Sequence, residues 1–487
     1  MSGSAIVQVR RPNRWTALTL ILAAQFMVVV DMSIVNVALA TIKTDLHFSQ
    51  ASLQWVVTAY AIVFGGFLLL GGRLADLLGR RRVFLAGITI FTLGSVLSGL
   101  AWSAGSLVVF RGLQGLGGAL FAPAGLSLLM TIFRDGRERN VALGLWGAAS
   151  GAGGAVGVLL GGVLTSYLSW PWIFYVNLPV GVALVALGPR FLTESRGLVA
   201  ERHFDVAGAI SITSSLMVLV FALTRATQHG WASASTIALL AVFAILAAAF
   251  VAIERRAESP LVPFEVFRGT TLATGTLITA IIASIGFSQF FLLTLYLQQV
   301  LHYSAARTGL AFVAIALSVA VTSNVAQRLV TILGPRRVVA TGLLLAALAE
   351  GLLVRLPVHG NYLTDLLPSF VLIGAAIGTS FVAVTIAALA GVPTRDAGIA
   401  SGLVNTARQV GGAVGLAGIT TIATIYSTHP SATESVAAGA THGFRIAFVA
   451  LAVLSLVGAA LTATMRVRHP ATEVVQETAG VALAEAA

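Results

Sequence analysis

The chain has 487 residues, of which 57% are hydrophobic and only 10% are charged, with no cysteine and a formal net charge of +11. A soluble domain carries roughly 25% charged residues, so this composition excludes one, and the missing cysteine excludes disulfides and thiolate metal sites. The basic excess could suggest nucleic acid, but its placement along the chain points to a bilayer instead.

The apolar residues fall in fourteen blocks of about 20 residues, the length of one membrane crossing. Residues 1–16 form a polar, basic tail. The first block, 17–39, is too long for a signal-peptide core and lacks a clear cleavage site, so it is expected to be retained. Asp31 lies inside it, between Val28-Val29-Val30 and Met32-Ser33-Ile34-Val35. An unpaired, unhydrated carboxylate at that depth costs roughly 3 kcal/mol or more to hold ionised. An acid so placed that gains and loses a proton is what proton-coupled transport requires. Asn36 is five residues further on and need not share Asp31's face; it is expected to hydrogen-bond a neighbouring helix.

Blocks 54–72 and 83–101 are joined by Gly72-Arg73-Leu74-Ala75-Asp76-Leu77-Leu78-Gly79-Arg80-Arg81-Arg82. The arginines alone would read as a membrane-edge anchor. Asp76 and the two glycines at this spacing add more than an anchor needs. Block 104–132 carries Arg111-Gly112-Leu113-Gln114-Gly115. At 1.5 Å per residue, Asp31 and Arg111 both sit roughly 10–12 Å below the same membrane face, near enough to meet directly or through water. Two readings follow. Arg111 could hold Asp31 ionised when close and free it to take a proton when apart, or the two could form a static pair that only locks the helices. Gln114 is a secondary candidate beside them.

Block 141–163 is glycine-rich. Gly147, Gly151, Gly154 and Gly161 recur at helical spacing, a smooth stripe on which another helix can approach closely. Trp170-Pro171-Trp172-Ile173-Phe174-Tyr175-Val176-Asn177-Leu178-Pro179 opens block 171–189; its aromatics read as an interfacial anchor rather than a ligand site. Blocks 206–224 and 235–253 follow, with Asp205 expected to cap the first of them. The remaining blocks are 271–297, 307–330, 338–356, 366–390, 404–427 and 444–465. Glu350 lies in 338–356 and could be a second proton or cation site; the plainer expectation is that it is solvated or paired with Arg355. Arg408 lies near one end of 404–427, where its head group is expected to snorkel to water. Gly334-Pro335-Arg336-Arg337 echoes Gly79-Arg80-Arg81-Arg82, each after the second block of its half, as expected of repeated halves around a midplane site.

Most of the 29 Lys and Arg fall in connections that share one side of the membrane with the amino terminus, so both termini are expected in the cytoplasm. The basic charge is then a topology signal with anionic lipid as its contact, and no nucleic-acid partner is expected. Lys43-Thr44 lacks the preceding glycines of a phosphate-binding loop. The preference for Arg, Ala and Gly is associated with GC-rich bacteria, which places the chain in a bacterial inner membrane.

The 72–82 loop, the Arg111 segment and Val30-Asp31-Met32-Ser33-Ile34-Val35-Asn36-Val37-Ala38-Leu39 resemble the major facilitator superfamily, and within it the fourteen-helix drug–proton antiporters. Gln298-Gln299-Val300-Leu301 and the 401–412 segment add to the resemblance. It implies an all-α membrane protein with two six-helix halves, 17–189 and 271–465, two additional helices with linkers in 190–270, and a cytoplasmic tail at 466–487. It implies that Gly72, Asp76, Gly79, Arg80 and Arg81 latch one side closed against neighbouring helix ends. It also implies an exporter motif on the glycine stripe, from which the chain departs: Gly154 and Val158 stand where that motif has prolines. The expected function is proton-coupled export of drugs or antibiotics, mostly lipophilic or cationic, by alternating access, with the proton gradient as energy source, no cofactor and no enzymatic step. A monomer is expected to suffice. The alternative is a dedicated metabolite exporter or importer of narrow specificity.

Overall fold

The computed structural model describes residues 13–48, 53, 55–133, 136–195, 206–257, 262, 264–267, 271–392, 396–427 and 436–465. The cap expected at Asp205 and most of both tails lie outside the described residues. Among the described residues fourteen long helices follow one another. They are α1 (Arg14–Asp45), α2 (Trp55–Leu78), α3 (Arg80–Gly99), α4 (Ala104–Ile132), α5 (Gly136–Tyr167), α6 (Asn177–Phe191), α7 (Val206–His229), α8 (Ala234–Glu254), α9 (Leu272–Leu295), α10 (Ala305–Leu333), α11 (Pro335–Leu353), α12 (Leu367–Ala388), α13 (Ala397–Ser427) and α14 (Val436–Leu461). Each falls on one of the apolar blocks. In lipid every backbone N–H and C=O must be satisfied within its own segment, which leaves the helix as the solution for such blocks.

Local sequence sets the ends. Asn13 Oδ1 accepts from Trp15 N at 3.0 Å to start α1. Ser103 and Ser106 form a reciprocal capping box at α4, and Ser304 Oγ caps α10 through Arg307 N. α1 runs past its apolar block to Asp45, where Trp170 Nε1 donates to Asp45 Oδ2 at 2.8 Å and holds the extension. Gly79 (φ 114°) and Gly334 (φ 80°) turn the chain between α2 and α3 and between α10 and α11, a backbone region that glycine enters without strain.

The two halves repeat one packing scheme. In the first, Gly87 of α3 lies against Gly117 and Phe121 of α4, and Gly115 of α4 lies on the Tyr60 carbonyl of α2. In the second, Gly342 of α11 lies against Ala376 and Ser380 of α12, and Gly374 of α12 lies on the Ile315 carbonyl of α10. Aromatic rings fill around these contacts: Phe121 meets Phe84 and Phe91 edge-on in one half, and Phe370 stacks on Phe312 in the other. α7 covers α2, with Met217 over Gly66. α8 packs on α7 and is otherwise exposed, as a lipid-facing helix is.

Because Ala119 backbone atoms occupy the space a side chain at Gly71 would need, Gly71→Leu should cost about 1–3 kcal/mol or more by overpacking. It should abolish the monodisperse peak in detergent size-exclusion chromatography. Gly105 has open space around it, so Gly105→Leu should keep that peak.

Candidate functional site

Asp31 and Arg111 meet in the interior of the first half. Arg111 Nη1 donates to Asp31 Oδ2 at 2.8 Å, and both side chains are essentially inaccessible, at 1% and 0%. Three more groups complete the arrangement. Gln114 Nε2 donates to Asp31 Oδ1 at 2.7 Å, and Asn177 Nδ2 donates to the same oxygen at 3.0 Å. Gln114 Oε1 accepts from Arg111 Nη1 at 2.7 Å. Arg111 also donates through Nε to the Val56 carbonyl at 3.1 Å and lies over the Tyr60 ring, 4.4 Å from its centroid. The charges thus have a partner and fixed dipoles in place of water, the condition under which a buried pair is tolerated. A proton arriving at Asp31 competes with Arg111 and two amides for the same two oxygens.

Helix geometry makes this site. Arg111 and Gln114 are one turn apart on α4 and face α1 together. Asn177 comes from the first turn of α6, held by Ser95 of α3: Asn177 Nδ2 reaches Ser95 Oγ at 3.0 Å, and Ser95 Oγ donates to the Phe174 carbonyl at 2.8 Å. The segment expected to be only an interfacial anchor therefore supplies a ligand to Asp31. Sequence reading missed Asn177 and Ser95 because four helices converge here and no linear spacing records that. The signal available was an amide within an otherwise apolar block. Asn36 is also corrected: it is exposed and donates to Met32 O of its own helix at 3.2 Å, one turn from Met32 on the same face.

A second cluster lies on the face that carries the arginine-rich turns, called here the basic face. Arg80 donates to Asp76 Oδ1 through Nε at 3.0 Å and Nη2 at 2.8 Å, and its other nitrogen reaches Thr131 Oγ1 at the end of α4. The Asp76 carboxylate is packed against Gly398 at the start of α13, and Gly72 packs on the Gly398 carbonyl and on Gly402. The oxygen nearest Gly398, Oδ2, has no hydrogen-bond partner among the described residues, and the contact across the halves is one of packing and of an acid near a helix N-terminus. Arg81 turns elsewhere. Its backbone N–H and guanidinium go to Glu194 Oε1 and to the Leu192 carbonyl, at 3.1 and 3.2 Å. Two further bonds close this face between the halves: Ser401 Oγ to the Pro123 carbonyl at 3.1 Å and Arg139 Nη2 to the Leu389 carbonyl at 2.9 Å.

Residues 21–416 match the pattern of the Major Facilitator Superfamily. The chain belongs to that superfamily. It is 42% identical over 462 residues to the puromycin resistance protein pur8 of Streptomyces alboniger, covering 92% of this chain and 90% of that protein. It is 40% identical over 453 residues to the cephamycin export protein CmcT of Amycolatopsis lactamdurans, covering 92% and 91%. The tetracenomycin C resistance and export protein of Streptomyces glaucescens is 34% identical over 408 residues, 84% of this chain and 75% of that one. A crystal structure of the human organic anion transporter MFSD10 superposes with a TM-score of 0.65 at 15% identity, over 93% of this chain and 100% of that chain, which speaks for the fold alone.

In a superfamily member the space between the halves is where cargo passes, and here it holds an arginine. Arg408 does not snorkel outward as expected. It points inward from α13, donating to Ser150 Oγ of α5 at 3.1 Å and to Asn405 Oδ1, and Gln25 Nε2 of α1 donates to the same Ser150 at 2.8 Å. Among the described residues no carboxylate lies within 4.0 Å of it. The glycine stripe of α5 borders the same space and changes partner with depth. Gly147 and Gly151 meet Phe381 and Ile377 of α12, Gly154 faces Phe290 of α9, and Gly161 meets the Ile34 carbonyl of α1. α5 runs unbroken through Gly154 and Val158. Glu350 is neither solvated nor paired with Arg355. It is fully buried, and neither carboxyl oxygen has a hydrogen-bond partner.

Arg111→Lys keeps the charge but loses the planar fork that serves Asp31, Gln114 and Val56 at once. Purified Arg111→Lys should unfold at lower temperature than wild type, and Arg111→Ala should lose about 3–5 kcal/mol, the cost of stripping a buried charge of its partner. A melting temperature unchanged in both variants would contradict the assignment. The absence of native cysteine allows a direct test of the Asp76 contact. A Ser401→Cys probe on the basic face should react slowly with an impermeant maleimide, and several-fold faster when combined with Asp76→Ala.

Proposed function

We propose that this protein is a proton-coupled exporter of antibiotics in the bacterial inner membrane, working by alternating access with both termini cytoplasmic. The observation that carries the reading is a fully buried carboxylate whose oxygens are shared among one cation and two amides, in a chain closely related over its length to antibiotic resistance and export proteins. The excess of arginine on the basic face supports a cytoplasmic orientation for it.

In this reading the conformation closed on the basic face opens to the outside. The drug leaves, a proton reaches Asp31, and Arg111 keeps its bonds to Gln114 and the Val56 carbonyl. Neutralising Asp31 loosens α1 from α4 and α6. Asp76 then releases α13, and the halves rock open to the cytoplasm. There Asp31 returns its proton, a new drug enters, and Arg111 re-forms the pair. No bond in the drug is made or broken, and the proton gradient supplies the energy. The guanidinium of Arg408, unmatched by an acid in the space between the halves, favours apolar molecules with acceptor or anionic groups over cations. The same feature, with the missing α5 prolines, supports a second reading: an exporter dedicated to one such metabolite.

The test is accumulation of acidic, neutral and cationic antibiotics in cells expressing wild type or Asp31→Asn, with and without a protonophore. Wild type should lower accumulation several-fold, for acidic and neutral compounds before cations, and both the protonophore and Asp31→Asn should remove the effect. Full gradient-driven efflux by Asp31→Asn would overturn the role given to Asp31.

A further inference from the structure

Glu350 is an acid that the mechanism above does not use. It sits on α11 with no accessible surface and, among the described residues, no hydrogen-bond partner at either oxygen. The elements packed against it offer no counter-charge. α9 and α12 contain no charged residue between 272 and 295 or between 367 and 388. On α10, Arg307 lies over the Tyr303 ring at 3.9 Å and Arg328 is exposed. On α14, Arg445 donates to the Leu356 carbonyl at 2.7 Å and His442 faces Tyr426. Arg336 and Arg337 lie at the opposite end of α11 itself. Such a site holds a neutral acid far more cheaply than an ion, because an unpaired buried charge has nothing to replace its water.

Two further observations give the position meaning. The shift that carries Gly79 to Gly334 also carries Gly87 to Gly342 and Tyr60 to Ile315, pairs that pack alike in the two halves. The same shift carries Ser95, which holds Asn177 against Asp31, to Glu350. Asp31 itself corresponds in depth to Gln289, counted from the starts of α1 and α9. The repeat thus places the second half's acid on the helix matching α3 rather than on the one matching α1. A small cavity also lies close by. A cavity of about 20 Å³ is lined by Gln289, Leu343, Ala346, Ile377, Ser380 and Phe381, among others, and one water needs roughly 10–15 Å³. Ala346 and Leu343 are one and two turns before Glu350 on its own face of α11. Ile377 and Phe381 touch Gly151 and Gly147 of α5, at the border of the space between the halves. Gln289 and Ser380 supply polar groups for a water in this cavity, whose lining ends at Ala346, one turn short of Glu350.

We propose that Glu350 is a reversible proton site in the second half, exchanging its proton with water in the central space through this cavity. The acid gives its carboxyl proton to water and ionises, then regains it from water, with no other reactant. The use of that proton in transport rests on the export reading above; the site itself does not.

The test needs no substrate. Infrared difference spectra of the reconstituted protein, recorded between mildly acidic and alkaline buffer, should show a protonated-carboxyl band. That band should persist in Asp31→Asn, shift on transfer to heavy water, and lose its Glu350 component in Asp31→Asn combined with Glu350→Gln. A band identical with and without Glu350, or one that neither titrates nor exchanges, would overturn the proposal. Labelling of the unmutated protein by a hydrophobic carbodiimide, located by mass spectrometry, removes any dependence on how Glu350→Gln folds. Modification at Glu350 that falls as the pH rises is expected, and absence of modification at every pH counts against the site. Loss of efflux in Asp31→Asn is scored separately, so failure of the export reading is distinguishable from failure of this one.

Discussion

The bond between Arg111 and Asp31 is the constraint on which the first half is organised. Two charges taken out of water cost more than their attraction returns unless every remaining lone pair and N–H is met. Here the requirement draws in α2 through the Val56 carbonyl, α4 through Gln114, α6 through Asn177 and α3 through Ser95. The helices can approach closely enough to do this because glycines line α4 where it meets α2 and α3. The small-residue surfaces and the buried pair are therefore one device. The first gives access, and the second gives a reason for a unique register.

The same pair links one carboxylate to contacts among five helices. In the proposed cycle, a proton at Asp31 would be felt at each of them. On the basic face the junction is weaker and differently built: a carboxylate against the start of α13, glycine against glycine, and two hydrogen bonds to carbonyls. Contacts of this kind are worth on the order of 1 kcal/mol each. In the export reading proposed above, a junction of that strength is one that a change at Asp31 of a few kcal/mol would open, whereas a fused apolar interface would not.

The halves share a scaffold but not a chemistry. The turn glycines, the close helix crossings and the aromatic fillings recur, while the first half holds a satisfied ionic network and the second a single unpartnered acid. Between them stands Arg408, bonded across the divide to Ser150. The packing scheme repeats between the halves, and their buried polar groups do not.

What the sequence determined by itself was the environment and the count of helices. Apolar blocks of bilayer length admit only helices, and the arginines gather at one end of them, because both effects act locally along the chain. Asp31, Arg111 and Asp76 were legible for a related reason: a charge in an apolar block or beside turn glycines is conspicuous wherever it points. What only the tertiary structure decided was direction. Asn177 hid in an aromatic anchor and proved to be a ligand. Asn36 lay on the same helix as Asp31 and faced away. Arg408 turned inward where an outward path was expected, and Glu350 lost both its solvent and Arg355. Helical periodicity gives a residue's angle about its own axis, but the choice of neighbour at that angle belongs to helices hundreds of residues away. The packing of those helices, not the spacing of residues along one of them, sets which polar groups meet.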